Sequence, residues 1–310
     1  HNRLTSTDHN DWTYDGNNRL TSYNGLSYTY DANGNMISKT DTALSQLTSY
    51  QYDYKNKLKR IDYPDGTYSE YRYDPFGNRI KKDVNGTVTW FVYDLIKMLP
   101  DVIAEYDGSG TLVAGYTHGP DVDEVISMRR GGDSYYYFKD ALGSITSLSD
   151  SSETTVNNYK YDAFGSVFSK TELVVNLYGF TGRVLDNESG LMYYRMRYYD
   201  LGIGRFITAD SIRFQGGINF YTYCLNDPVN QVDPSGQSWC TFQCNFSYFM
   251  DSLRCHEQYI RADVICREGV GGRVTSEVFR RARNTFEACE LLAKQNYDEC
   301  MEKCEEECPE

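Results

Sequence analysis

Two groups of residues have types and spacings suited to chemistry: a cysteine run near the end of the chain and a set of aspartates before it. Of nine cysteines, all but Cys224 lie after residue 238. Cys240, Cys244, Cys255 and Cys266 are 4, 11 and 11 residues apart, steps that keep them within one stripe of a helix. Cys289, Cys300, Cys304 and Cys308 keep one stripe on a second segment. The glycine-rich stretch Arg267-Glu268-Gly269-Val270-Gly271-Gly272-Arg273 between them suits the end of one helix and the start of the next. In an antiparallel hairpin, residues equidistant from the turn face each other. The pairs 240 and 304, 244 and 300, and 255 and 289 all centre on Gly272. The spacing therefore predicts disulfides Cys240–Cys304, Cys244–Cys300 and Cys255–Cys289, each stabilising the hairpin by roughly 2–4 kcal/mol. Cys308 would end near the upstream domain, with Cys224 as its candidate partner. Cys266 is then left as a free thiol or an intermolecular link. Zinc is the rival use, but it favours close Cys-x-x-Cys pairs and histidine, and His256 stands alone in this segment. No metal and no cofactor is expected.

The aspartates are Asp210, Asp227 and Asp233, with Arg205 nearby in sequence. Two carboxylates held close together share a proton and activate water, and a neighbouring guanidinium keeps one of them ionised. The plainer alternative is structural: Asn-Asp-Pro and Asp-Pro sequences make turns, and Arg205 pairs with whichever Asp it meets.

These residues need elements to hold them. All but three of the 29 tyrosines precede residue 238, so composition changes near Asp233-Pro234-Ser235-Gly236, a turn-forming boundary. Tyr-Asp recurs at Tyr14-Asp15, Tyr30-Asp31, Tyr52-Asp53, Tyr73-Asp74, Tyr93-Asp94, Tyr106-Asp107 and Tyr161-Asp162. Most copies follow a short alternating run and precede a turn such as Ala32-Asn33-Gly34-Asn35 or Pro75-Phe76-Gly77-Asn78. That pattern reads as antiparallel hairpins stacked into one continuous sheet. Tyrosine rings fill the sheet face and their hydroxyls reach water or backbone, while each Asp closes its turn. An aromatic sugar-binding surface is the competing use of so many tyrosines. The opening His1-Asn2-Arg3-Leu4-Thr5-Ser6 echoes Asn17-Asn18-Arg19-Leu20-Thr21-Ser22, as though the chain starts mid-repeat.

The repeats resemble the RHS/YD-repeat family over roughly residues 1–237. The most specific stretches are Tyr136-Tyr137-Phe138-Lys139-Asp140-Ala141-Leu142-Gly143-Ser144, Tyr161-Asp162-Ala163-Phe164-Gly165 and the block from Gly179 to Gly236. That block, containing Gly190-Leu191-Met192-Tyr193-Tyr194-Arg195-Met196-Arg197-Tyr198-Tyr199-Asp200, looks like the RHS core-associated domain of bacterial polymorphic toxins and Tc-toxin C subunits. The resemblance implies a mainly β fold, a spiralling sheet forming part of a hollow shell around a C-terminal cargo. It divides the chain into a YD-repeat sheet (1–178), a core-associated domain (179–237) and a cysteine-rich helical hairpin (238–310). In toxin members, an aspartyl self-cleavage activity releases the cargo after a DPxGL motif. Asp233, Pro234 and Gly236 match that motif, and Gln237 stands where an apolar residue is usual. The resemblance thus implies a scissile bond at Gln237–Ser238, with Asp233 essential, Asp210 and Asp227 as candidate partners and Arg205 as the cation.

On the first predicted helix of the tail, Phe242, Phe246, Phe249, Leu253, Ile260 and Val264 lie opposite the cysteines and form an apolar face, covered by the shell rim or by another molecule. The second carries Arg280, Glu287, Lys294 and Asp298 outward. The tail holds no Ser-His-Asp set, no paired histidines and no phosphate-cradling loop. A formal charge of −13 argues against a nucleic-acid partner, and no apolar run is long enough to span a membrane. Cysteine density points to an oxidising compartment, secreted or on the cell surface. Three functions remain open: a structural wall closed by a permanent helical cap, a self-cleaving toxin carrier releasing 238–310, and an extracellular adhesion, glycan-binding or assembly subunit. Partners are the chain's own upstream shell residues, another protein subunit or a surface glycan.

Overall fold

The computed structural model describes residues 2, 3, 11–97, 99–237, 251, 255, 287–296, 298 and 299. The chain divides into two compact units, His1–Ser238 and Trp239–Glu310. The first is all β. Sixteen strands, from β1 (Thr13–Tyr14) to β16 (Val167–Glu172), follow one another as antiparallel neighbours in a single sheet whose order equals the chain order. Four more strands form a second, small sheet: β17 (Val184–Asp186), β18 (Leu191–Tyr194), β19 (Arg197–Asp200) and β20 (Arg205–Phe206).

The Tyr-Asp dipeptide explains why the large sheet forms. In the Tyr-Asp turns at Asp15, Asp31, Asp53 and Asp162, and likewise in the Lys139-Asp140 turn, the Asp Oδ1 accepts the backbone N–H groups two and four residues on, at 2.8–3.0 Å. The third residue after each Asp takes the left-handed conformation, and it is Asn18, Gly34, Asn56, Gly143 or Gly165. These are the residue types that accept positive φ most cheaply. The tyrosine completes the unit by joining one hairpin to the one before. Tyr52 Oη donates to the Met36 carbonyl (2.8 Å), Tyr73 to Leu58 (2.7 Å), Tyr93 to Arg79 (2.9 Å) and Tyr161 to Ile145 (2.9 Å). Two residues earlier, on the same strand face, a second aromatic is buried: Tyr28, Tyr50, Tyr71, Phe91 and Tyr159. With Leu177, Tyr193, Tyr198, Ile203 and Ile207 they make one continuous core between the large sheet and the 179–236 block.

Because the strands run up and down, every second turn lies at the same end of the sheet, and these turns hold the small sheet. Arg205 Nη2 donates to Asn18 O (2.7 Å), Tyr221 Oη to Gly34 O (2.9 Å), Lys57 Nζ to Arg195 O (3.0 Å) and Tyr199 Oη to Phe164 O (2.8 Å). Arg79, 1% exposed, is paired with Asp186 and lies over the Tyr193 ring at 4.6 Å. The 179–237 block is thus built into the wall's own unit.

In the second unit, residues 287–296 are helical, with Glu287, Lys294 and Asp298 on the outside and Ala293 buried. Cys255 and Cys289 form a disulfide, with Cα atoms 5.7 Å apart. The expected pairs Cys240–Cys304 and Cys244–Cys300, the thiol Cys266, Cys308, Arg280 and the apolar face of Phe242, Phe246, Phe249, Leu253, Ile260 and Val264 lie outside the described residues. Among the described residues Cys224 is a free thiol, packed against the aromatic cluster of Tyr194, Tyr199, Phe206 and Tyr223, and its expected partner Cys308 lies outside them. Burial raises its pKa, so it stays protonated.

If the tyrosine hydroxyls join hairpin to hairpin, Tyr52→Phe lowers stability by about 1 kcal/mol without altering the fold. Urea unfolding checks this; an unchanged midpoint would show that the hydroxyl contributes nothing.

Candidate functional site

The tight hairpin between β18 and β19 builds the site. Tyr194 pairs with Arg197 across a two-residue turn, and Arg195 takes a left-handed φ of 50°. The turn sits on a core of Phe180, Met192, Tyr194, Tyr199, Phe206 and Tyr223. Arg197 lies flat over the Phe206 ring, 3.6 Å from its centroid, and is 6% exposed. A guanidinium this buried must be paired. Its partners are Asp210 Oδ2 at 2.9 Å and Asp233 Oδ2 at 3.4 Å, and both carboxyls are also buried.

Asp233 faces two ways. Its Oδ2 meets Arg197, while Oδ1 accepts the backbone N–H groups of Gly236 (2.9 Å) and Gln237 (3.0 Å) and the Ser235 hydroxyl (3.2 Å). This folds residues 233–237 into a loop around one carboxylate. Gly236 adopts φ 74°, and a Cβ there would collide with the Tyr194 backbone carbonyl. That explains glycine at this position. Gln237 is half-buried, and its side-chain amide donates to Ser211 Oγ at 2.8 Å.

The electrostatics separate the two carboxyls. Burial pushes the Asp233 pKa up to about 6, opposed by Arg197 and reinforced by the nearby Asp210 charge. Burial raises Asp210 as well, with Arg197 opposing it. The guanidinium is closer to Asp210 than to Asp233, so its opposing effect is stronger on Asp210.

Of the four residues singled out from sequence, the structure brings Asp210 and Asp233 together. Asp227 does other work: its carboxylate accepts the Asn230 side-chain amide at 2.8 and 3.1 Å within a turn. Arg205 is not the cation of this pair. It reaches the wall, donating to Asn18 O (2.7 Å) and Asn219 Oδ1 (3.1 Å). Strand alternation explains the difference: Phe206 faces Arg197, so its neighbour Arg205 points the opposite way. Arg197 was the residue missed. A signal existed, since arginines at 195 and 197 interrupt a run of tyrosines, and charged residues in a buried strand require partners. Among the described residues, no cluster is arranged to hold a metal ion, and no helix is long and apolar enough to cross a membrane.

The raised Asp233 pKa has a consequence for stability. Unfolded, this carboxyl loses its proton near its ordinary value of 3.8; folded, it keeps the proton to about 6. Its contribution is therefore complete below the lower value and is lost as pH rises through the upper one. Urea unfolding of wild type and Asp233→Asn, followed by the β-sheet signal in far-UV circular dichroism, should show a wild-type advantage near pH 4 that shrinks by about pH 7. A pH-independent difference would contradict the assignment.

Comparison with known proteins agrees with this architecture. The family model described as Teneurin YD-shell matches residues 1–229. The chain is 33% identical over 211 residues to the tRNA nuclease WapA of Bacillus subtilis (strain 168), covering 65% of this chain and 9% of that protein. It is 29% identical over 213 residues to a probable deoxyribonuclease, RhsB, of Dickeya dadantii, covering 63% of this chain and 14% of that one. The chain therefore spans about a tenth of the length of such relatives. A crystal structure of TcdB2-TccC3 is similar in fold, with a TM-score of 0.50 and 16% identity, covering 68% of this chain and 13% of that one. A continuous Tyr-Asp hairpin sheet with a matching family model leads to one conclusion: this chain belongs to the YD-shell family of RHS/YD-repeat proteins.

Proposed function

We propose that this chain closes a YD shell and cuts its own backbone at Gln237–Ser238, separating residues 238–310 from the wall. The observation that carries this reading is the buried Asp210–Arg197–Asp233 group, with Asp233 bonded to the N–H of Gln237. Asp210, held charged by Arg197, accepts a proton from a water as the water adds to the Gln237 carbonyl carbon. Asp233 gives its proton to the reacting amide, the C–N bond breaks, and Ser238 leaves with a free amine. A neutral carboxyl beside a charged one is the arrangement that aspartyl hydrolysis needs. Positioning contributes as much, because the bond is part of the same folded unit and needs no binding step. The wall and the small sheet supply the structural half of the function. The Cys255–Cys289 disulfide supports a working place in an oxidising compartment, secreted or at a cell surface.

A second reading has its own support: a permanently attached tail that caps the wall. Gln237 stands where the family resemblance implies an apolar residue, and its amide is tied to Ser211 rather than seated in an apolar pocket. The two readings differ in one covalent bond.

Under the self-cleaving reading, Asp233→Asn and Asp210→Asn each leave the chain whole, and Arg205→Lys cleaves like wild type. Denaturing gels of freshly purified protein report this directly. Equal cleavage in wild type and Asp233→Asn would remove Asp233 from the chemistry.

A further inference from the structure

We infer that Arg195 is a positioning residue for this cleavage, and that Asp123 makes its placement depend on the wall. The inference rests on the autoproteolytic reading of Asp233. Three consecutive residues of the tight hairpin grip three consecutive carbonyls ahead of the proposed scissile bond. Arg195 Nη1 donates to Pro234 O at 2.5 Å, the Met196 backbone N–H to Ser235 O at 3.1 Å, and Arg197 Nε to Gly236 O. The segment 234–236 is thus held residue by residue along 195–197, and Gln237 is the next position. Arg197 takes its place from the small sheet itself, at the start of β19 and over the Phe206 ring. Arg195 does not.

Arg195 is fixed by the wall. Its guanidinium pairs with Asp123 Oδ1 at 2.8 Å and with Asp101 Oδ1 at 3.3 Å, and donates to Pro100 O at 3.4 Å. Asp123 also takes Arg183, and two guanidiniums hold its carboxyl below the ordinary range against the opposing effect of burial. Asp101 begins the strand Asp101–Asp107 and Asp123 lies in the turn before the strand Val125–Arg130, both in the row of turns that meets the small sheet. Arg195 also carries a left-handed backbone, a conformation that costs energy and persists where surrounding contacts fix it. A wall that has not docked these turns leaves Arg195 without Asp101 and Asp123, and Pro234 without its donor. The cut is thereby made conditional on closure of the wall over the site.

The test is the rate of Gln237–Ser238 cleavage in the full chain made by cell-free synthesis and followed after translation is stopped. Arg195→Lys keeps the charge beside Asp123 but loses the planar fork whose two separate nitrogens reach Pro234 O on one side and Asp123, Asp101 and Pro100 O on the other. Asp123→Asn keeps Arg195 and loosens its anchor. Both should slow cleavage at least about tenfold, since small misplacements of a reacting group cost that much or more. The pH profile of the remaining cleavage should match wild type, because Asp210, Arg197 and Asp233 are untouched. Tyr52→Phe, a wall change of modest stability cost, should cleave at the wild-type rate. The same substitutions in an Asp233→Asn background, where the chain stays whole, are checked by thermal melting and by amide exchange at Met196, Gly236 and Gln237. Faster exchange there with a wild-type melt supports the inference even if cleavage is too slow to time. Cleavage within twofold of wild type in both variants, or unchanged exchange, overturns it. If wild type itself stays whole, the autoproteolytic reading fails first and Arg195 loses its proposed role with it.

Discussion

The structure depends on one repeated interaction, an aspartate that accepts the two backbone N–H groups of the turn that follows it. A hairpin alone is marginal in water, and a sixteen-stranded sheet made of hairpins needs each turn fixed in type and register. The Asp carboxylate fixes the turn, and the tyrosine before it bonds to the preceding hairpin. The repeat is therefore a turn and a joint in two residues. Since every second turn lies at the same end, the pattern that builds the wall also lines up the groups that receive the small sheet.

The small sheet shows what that end is for. Buried arginines of the wall and of the small sheet are paired in three directions. Arg79 of the wall is matched by Asp186, Arg195 reaches back to Asp101 and Asp123, and Arg197 stays inside to gather Asp210 and Asp233. Buried charges are costly unless fully paired, and this group is paired across elements far apart in sequence. An arrangement of this kind specifies one geometry more than it adds stability. It also holds the loop 233–237 folded around the Asp233 carboxyl, which accepts the N–H groups of Gly236 and Gln237.

Much of the fold could be read from the sequence, because it is written in local signals. Alternation, Tyr-Asp dipeptides and Asn or Gly three residues later each encode a hairpin, and the structure has those hairpins. The pairing of Asp210 with Asp233 was also legible. The cation was not, since nearness in sequence pointed to Arg205, while strand alternation turned it toward the wall and left Arg197 over Phe206. Asp227 was misread for a similar reason: its Asn-Asp-Pro context makes a turn, and Asn230 completes it. Side-chain direction across non-local elements was the missing information in each case.

The most direct test of the account is the intact mass of the fully reduced protein. The account predicts two species, residues 1–237 and 238–310, meeting at Gln237–Ser238. One species spanning residues 1–310 would contradict it, leaving Asp210, Arg197 and Asp233 as a structural ion group and the tail as a permanent cap.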